Sequence, residues 1–204
     1  MSSSFREDAV ITIKTKIPVT VHVYFVAMAA LFIAAGTAEF LLMGLGFALL
    51  HELGHLAALA LCGGRPSRVC LTAAGMRIER PPGLALGFRQ EILIALAGPA
   101  VSLALAGLCA LLHLALPARV STAPALMNLG FGLFNLLPVR ELDGGRALFY
   151  ALSRRMQEPA ACKIIQIVSL ACLFLAAFLA GLVCMRVGFH LSLAVVVIYL
   201  AVCV

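Results

Sequence analysis

An all-α polytopic membrane protein, with about six transmembrane helices and one short membrane-associated β-hairpin, is the fold class this sequence predicts. Three observations predict it. Of 204 residues, 63% are hydrophobic and 12% are charged, where typical globular chains run at about 45–50% and about 25%. The apolar residues fall in runs long enough to cross a bilayer. The positive charges collect on one side of those runs. A sphere of this size could not hide so much apolar surface, and the exposed part would aggregate. Disorder and a secreted disulfide scaffold are excluded by the same composition.

The elements follow in order. Residues 1–18 form a polar or mixed N-terminal arm, with no cleavage site behind an apolar core. A first span is expected over 19–36, because Pro18 suits a helix start. A second is expected over 38–62, with Thr37 as N-cap and Glu39 in the favourable first turn. The stretch 63–90 is the longest polar one. In it Val69, Leu71 and Ala73 alternate, then Met76 and Ile78, which predicts a β-hairpin with Gly75 near its tip. A third span over 91–116 is stopped by Pro117, and a fourth over 123–138 is short. The fifth covers 163–185 and the sixth 188–204, with only Arg186 and Gly188 dividing them. The whole, 1–204, reads as one domain with no PDZ or CBS module.

Of the 15 Lys and Arg, all but Arg119 and Arg186 lie before span one, between spans two and three, or between spans four and five. That bias puts both termini, the arm and the 63–90 loop in the cytoplasm of a multi-pass cell-membrane protein. The net charge of +6 is therefore a topology signal, helped by anionic lipid, and nucleic acid is excluded as a partner. The seven cysteines include no C-x-x-C pair and read as small core or lipid-facing residues. His22, His113 and His190 sit near span ends and read as interfacial. Ser102 lies in an apolar helix with no base beside it in sequence, which argues against a serine nucleophile.

Span two contains His51-Glu52-Leu53-Gly54-His55. On a helix the two histidines share a face one turn apart, so their ring nitrogens converge as a tetrahedral zinc ion requires. Glu52, beside the first histidine, can take a proton from an attacking water. An acidic group near mid-membrane costs about 2.5–3.5 kcal/mol or more, which makes it a functional-site candidate by default. Two histidines leave a metal short of ligands. The best third candidate is Asp143, in Asn135-Leu-Leu-Pro138-Val-Arg-Glu-Leu-Asp143-Gly144-Gly145; Glu141 and a histidine elsewhere are the alternatives. Pro138 breaks the helix ladder and the glycines relax the backbone, so the helix should open there to line a cavity.

His51-Glu-Leu-Gly-His55 with Asn135-x-x-Pro138-x-x-x-Leu142-Asp143-Gly144-Gly145 resembles the site-2 protease family of intramembrane zinc metalloproteases, and Ala97-Gly98-Pro99 resembles that family's third motif. The resemblance implies Zn2+ held by His51, His55 and Asp143, water activation by Glu52 and substrate positioning by Asn135. It implies hydrolysis of a peptide bond in a membrane-tethered protein, such as a transcription-factor precursor or an anti-sigma factor. A membrane regulatory partner would fit that role. Phe134-Asn-Leu-Leu-Pro-Val, Leu142-Asp-Gly-Gly-Arg146 and Leu71-Thr-Ala-Ala-Gly75 look closest to the sporulation branch, which processes a pro-sigma factor. Two positions depart from the family pattern: many members have Pro where Arg140 or Glu141 stands, and Asn where Ser102 stands. The competing class is a metal-transporting or metal-sensing membrane protein, since intramembrane His and Glu also suit ion pathways.

Overall fold

The computed structural model describes residues 9–13, 19–22, 38–72, 75–79, 81, 86–113, 118–188 and 191–204. Four strands and six helices occupy them: β1 Ala9–Ile13, β2 Val19–His22, α1 Ala38–Leu61, β3 Arg68–Thr72, β4 Gly75–Glu79, α2 Phe88–Leu112, α3 Ala118–Asn135, α4 Asp143–Ser153, α5 Glu158–Val187 and α6 Leu191–Cys203.

The mostly helical expectation stands, but the sheet is larger than a hairpin. Its order is β1-β2-β3-β4, with β1–β2 and β3–β4 antiparallel and β2–β3 parallel. Thr72 pairs with Gly75 at one end of the β3–β4 ladder. Two strands thus come from segments assigned above to the arm and to the start of span one. The reason lies in AVITI and VTVH, whose β-branched residues lose rotamer freedom in a helix and pack well on a pleated surface. The rest of that expected span, and Thr37, lie outside the described residues.

Among the described residues three helices are long and apolar enough to cross a membrane, Glu39–Leu61, Phe88–Leu112 and Glu158–Arg186, where the sequence suggested six spans. The helix α6 has 13 residues, about 20 Å at 1.5 Å each against a hydrocarbon core of about 30 Å. It buries Leu200 and Cys203 against Val139 and Leu142 instead. The long α5 carries exposed Ile167, Phe174, Phe178 and Met185, a surface suited to lipid tails rather than water.

The helix α2 is the hub, packing against α1, α3 and α4. Its approach to α1 depends on Gly54, where any Cβ would lie 2.8 Å from both the Ala97 carbonyl oxygen and Val101 Cγ2. Without a side chain there the two backbones touch, as small residues allow between membrane helices. The end of α1 is a glycine cap. Gly63 has φ of 79°, its N–H donates to the Ala60 carbonyl, and the Gly64 N–H donates to Leu59.

Candidate metal centre

The site stands where α1, α2 and the start of α4 meet. His51 and His55, four residues apart on α1, are both buried. Their Nε2 atoms lie 3.1 Å from each other. Asp143 Oδ2 lies 3.0 Å from His51 Nε2 and 3.2 Å from His55 Nε2. These three residues, drawn from positions 88 and 92 apart in the chain, form a set of candidate metal donors.

The turn before α4 delivers the carboxylate. After α3 ends at Asn135, Pro138 blocks further helix, and Val139, Leu142 and Asp143 turn inward. Two contacts hold this turn. The Arg140 N–H donates to Ser169 Oγ on α5, and that hydroxyl donates to the Ile165 carbonyl. Gly144 and Gly145 let the first turn of α4 lie directly on the backbone of Leu136 and Val139, where any Cβ would collide. The helix therefore stops at Asn135, three residues before the break expected at Pro138, and restarts at Asp143.

The donor set fits zinc. Bonds of about 2.0–2.1 Å in a tetrahedron hold their donors about 3.3 Å apart, and the observed separations of 3.0, 3.1 and 3.2 Å are close to that. Asp143 supplies the anionic donor, with its Oδ2 facing both Nε2 atoms, and a carboxylate bound to a metal must be ionised. Each histidine is anchored through its other nitrogen: His55 Nδ1 donates to the Ile94 carbonyl at 2.6 Å, and His51 Nδ1 lies 2.9 Å from Ser102 Oγ. The Phe131 ring on α3 packs nearly perpendicular to the His51 ring, with their centres 4.8 Å apart. Gly98 backs the site, since a Cβ there would lie against both Nε2 atoms.

Glu52 is half-buried beside this set, with His55, Asp143 and Arg146 as its electrostatic neighbours. Asn135 is not drawn in: its amide donates to the Phe131 carbonyl one turn back. The alternative third ligand Glu141 is exposed and outside the donor set. Of the remaining histidines, His113 bonds Ser121 Oγ at 2.7 Å, His22 ends β2, and His190 lies outside the described residues. Cys62, Cys109, Cys162, Cys172, Cys184 and Cys203 are free thiols.

Three participants escaped sequence reasoning. Ile94 acts through its backbone, which leaves no sequence signal. Gly98 was read only as part of a motif. Ser102 was judged to have no base beside it in sequence, yet it touches His51 from 51 residues away. That contact does not make it a nucleophile, because the working nitrogen of His51 faces Asp143 and His55 instead.

Residues 117–179 match the family described as Peptidase family M50. Rip3 of Mycobacterium tuberculosis, described by name as a zinc metalloprotease, is 37% identical over 158 residues, which is 71% of this chain and 37% of that protein. Stage IV sporulation protein FB of Bacillus subtilis is 31% identical over 143 residues, 67% of this chain and 48% of that protein. The chain thus spans less than half the length of either relative. Among solved structures, the site-2 protease from Methanocaldococcus jannaschii has the same fold, with a TM-score of 0.71 at 22% identity over 95% of this chain and 92% of that one. The chain carries a peptidase M50 (site-2 protease) domain.

Proposed function

We propose that this chain is an intramembrane zinc metalloendopeptidase that cuts a membrane-tethered protein near the cytoplasmic face. The observation that carries this reading is the convergence of His51, His55 and Asp143, whose donor atoms lie within 4.8 Å of one another. Two of them sit on a helix apolar enough to cross a bilayer. Burying three titratable groups in such a helix packing is costly unless they act together.

In this reading His51, His55 and Asp143 hold zinc, which when bound supplies a Lewis acid that makes water more acidic and polarises a carbonyl. Glu52 takes the proton from the attacking water and returns it to the leaving amine. A substrate helix hides its carbonyls in its own ladder, so it must unwind before it is cut. The sheet offers a place for the unwound segment. β4 is one of the two outer strands of the four, and it packs against α1. A strand added to that edge would gain main-chain hydrogen bonds alongside the helix that carries the site. Asn135 would assist by releasing its bond to Phe131 and turning to the substrate.

The names of the relatives support the substrate class. One is described as a zinc metalloprotease and one as a sporulation protein, which favours a tethered transcription-factor precursor or anti-sigma factor, with a membrane regulatory partner. The distribution of Lys and Arg favours six spans with both termini and the β3–β4 hairpin on the cytoplasmic side.

The test is reconstitution of the full chain in vesicles with a peptide tethered by one transmembrane helix. Cleavage is expected to stop when a chelator strips zinc and to return when zinc is added back. Cleavage by the stripped chain, or metal flux across the vesicle without any cleavage, would overturn the reading.

A further inference from the structure

The two histidines are anchored by acceptors of different kinds. The Ile94 carbonyl can only accept, so it fixes the proton of the His55 ring on Nδ1 and leaves Nε2 with its lone pair exposed. A hydroxyl can accept or donate. Ser102 Oγ, 2.9 Å from His51 Nδ1, can therefore stabilise either neutral form of that ring. Only one form suits the site. If Ser102 donates, the ring proton sits on Nε2, 3.0 Å from Asp143 and 3.1 Å from His55, and that nitrogen has nothing to give a metal. If Ser102 accepts, the proton sits on Nδ1 and the Nε2 lone pair faces the other two donors.

The surroundings hold this hydroxyl in place. Ser102 is 0% exposed, in the part of α2 that faces α3. Gly132 on α3 allows that closeness, since a Cβ there would come within 3.0 Å of Leu103 and 3.3 Å of Ser102 Cβ. The hydroxyl is shut away from water, and among the described residues His51 Nδ1 has this one bonding partner. Removing it would leave a buried N–H unpaired when Nε2 binds a metal, which disfavours the bound form.

We infer that Ser102 is the positioning residue for His51: its hydroxyl accepts the Nδ1 proton and so holds Nε2 unprotonated and directed at Asp143 and His55. This rests on the metal-centre reading above. It also gives a physical role to a residue that the sequence left as an isolated polar group in an apolar helix.

The experiment measures zinc affinity of the full chain in nanodiscs by competition with a chelator of known affinity. Ser102→Ala is expected to weaken zinc binding about 10–100-fold, the range seen when an outer-shell partner of a metal-bound histidine is lost. The visible bands of the cobalt-loaded chain should shift in the same variant, because the ring is free to turn. Ser153→Ala, which removes another buried hydroxyl on α4, should change neither readout. Metal-free Ser102→Ala should melt at the temperature of the metal-free parent. Parental zinc affinity in Ser102→Ala would overturn the inference. So would a melting point of the metal-free variant that falls far enough to account for the lost zinc, since the role would then be packing. A parent chain that binds no zinc would sink the metal centre itself, and the inference with it.

Discussion

Glu52→Gln is expected to lower peptide cleavage by about 10²–10⁴-fold, the contribution of a positioned general acid–base group, while zinc stays bound. Glutamine keeps the volume and one carbonyl oxygen of glutamate, so the packing of α1 is preserved. What it cannot do is accept a proton at neutral pH. The metal should be retained because Glu52 is outside the donor set of His51, His55 and Asp143. It stands half-buried next to the first of them, with Arg146 among its electrostatic neighbours. Cleavage of the tethered reporter and zinc content are measured on the same preparation. Activity near that of the parent would end the role in water activation. Loss of zinc together with activity would make Glu52 part of the metal site instead.

The legible parts of this molecule are those where chain spacing converts directly to space. Four residues on a helix are one turn, so His51 and His55 could be read as neighbours from the sequence alone. Asp143 needed a weaker inference, from the proline and glycines that force a turn at matching depth. The structure brings it within 3.2 Å of both rings. Packing across helices leaves no such trace. Ser102 and His51 share no period, motif or charge pattern, and only the approach of α1 to α2 at Gly54 brings them together. The strands β1 and β2 were hidden for another reason. A run of Val, Ile and Thr satisfies both an apolar window and a strand, and five-residue and four-residue pieces are too short for periodicity to decide. The helix α6 shows the same ambiguity in length. An apolar run reads as a span whether it faces lipid or, like Leu200, is buried against Val139 and Leu142.

Gly98→Ala should cost zinc affinity about 100-fold or more, beyond the 10–100-fold range typical of outer-shell changes. The substitution adds one methyl group in the middle of α2. Judged by helix propensity it should stabilise, since alanine is preferred to glycine by about 1 kcal/mol in a helix interior. Gly107, on the same helix, has open space where a Cβ would go, and Gly107→Ala should behave as propensity says, leaving zinc binding unchanged. At Gly98 the added carbon lies against Nε2 of both His51 and His55, atoms that a metal ligand must leave clear. The rings have little room to yield. His55 is tied to Ile94 at 2.6 Å, and His51 is held between Ser102 and the Phe131 ring. The methyl group therefore turns the rings off their anchors or fills the space between the donors, and either outcome removes zinc. Equal zinc affinities for the two alanine variants would mean that the nitrogens do not form the binding surface. A loss confined to Gly98→Ala, with the metal-free chain still folded, would locate the ion against the backbone of α2 by chemistry independent of any ligand substitution.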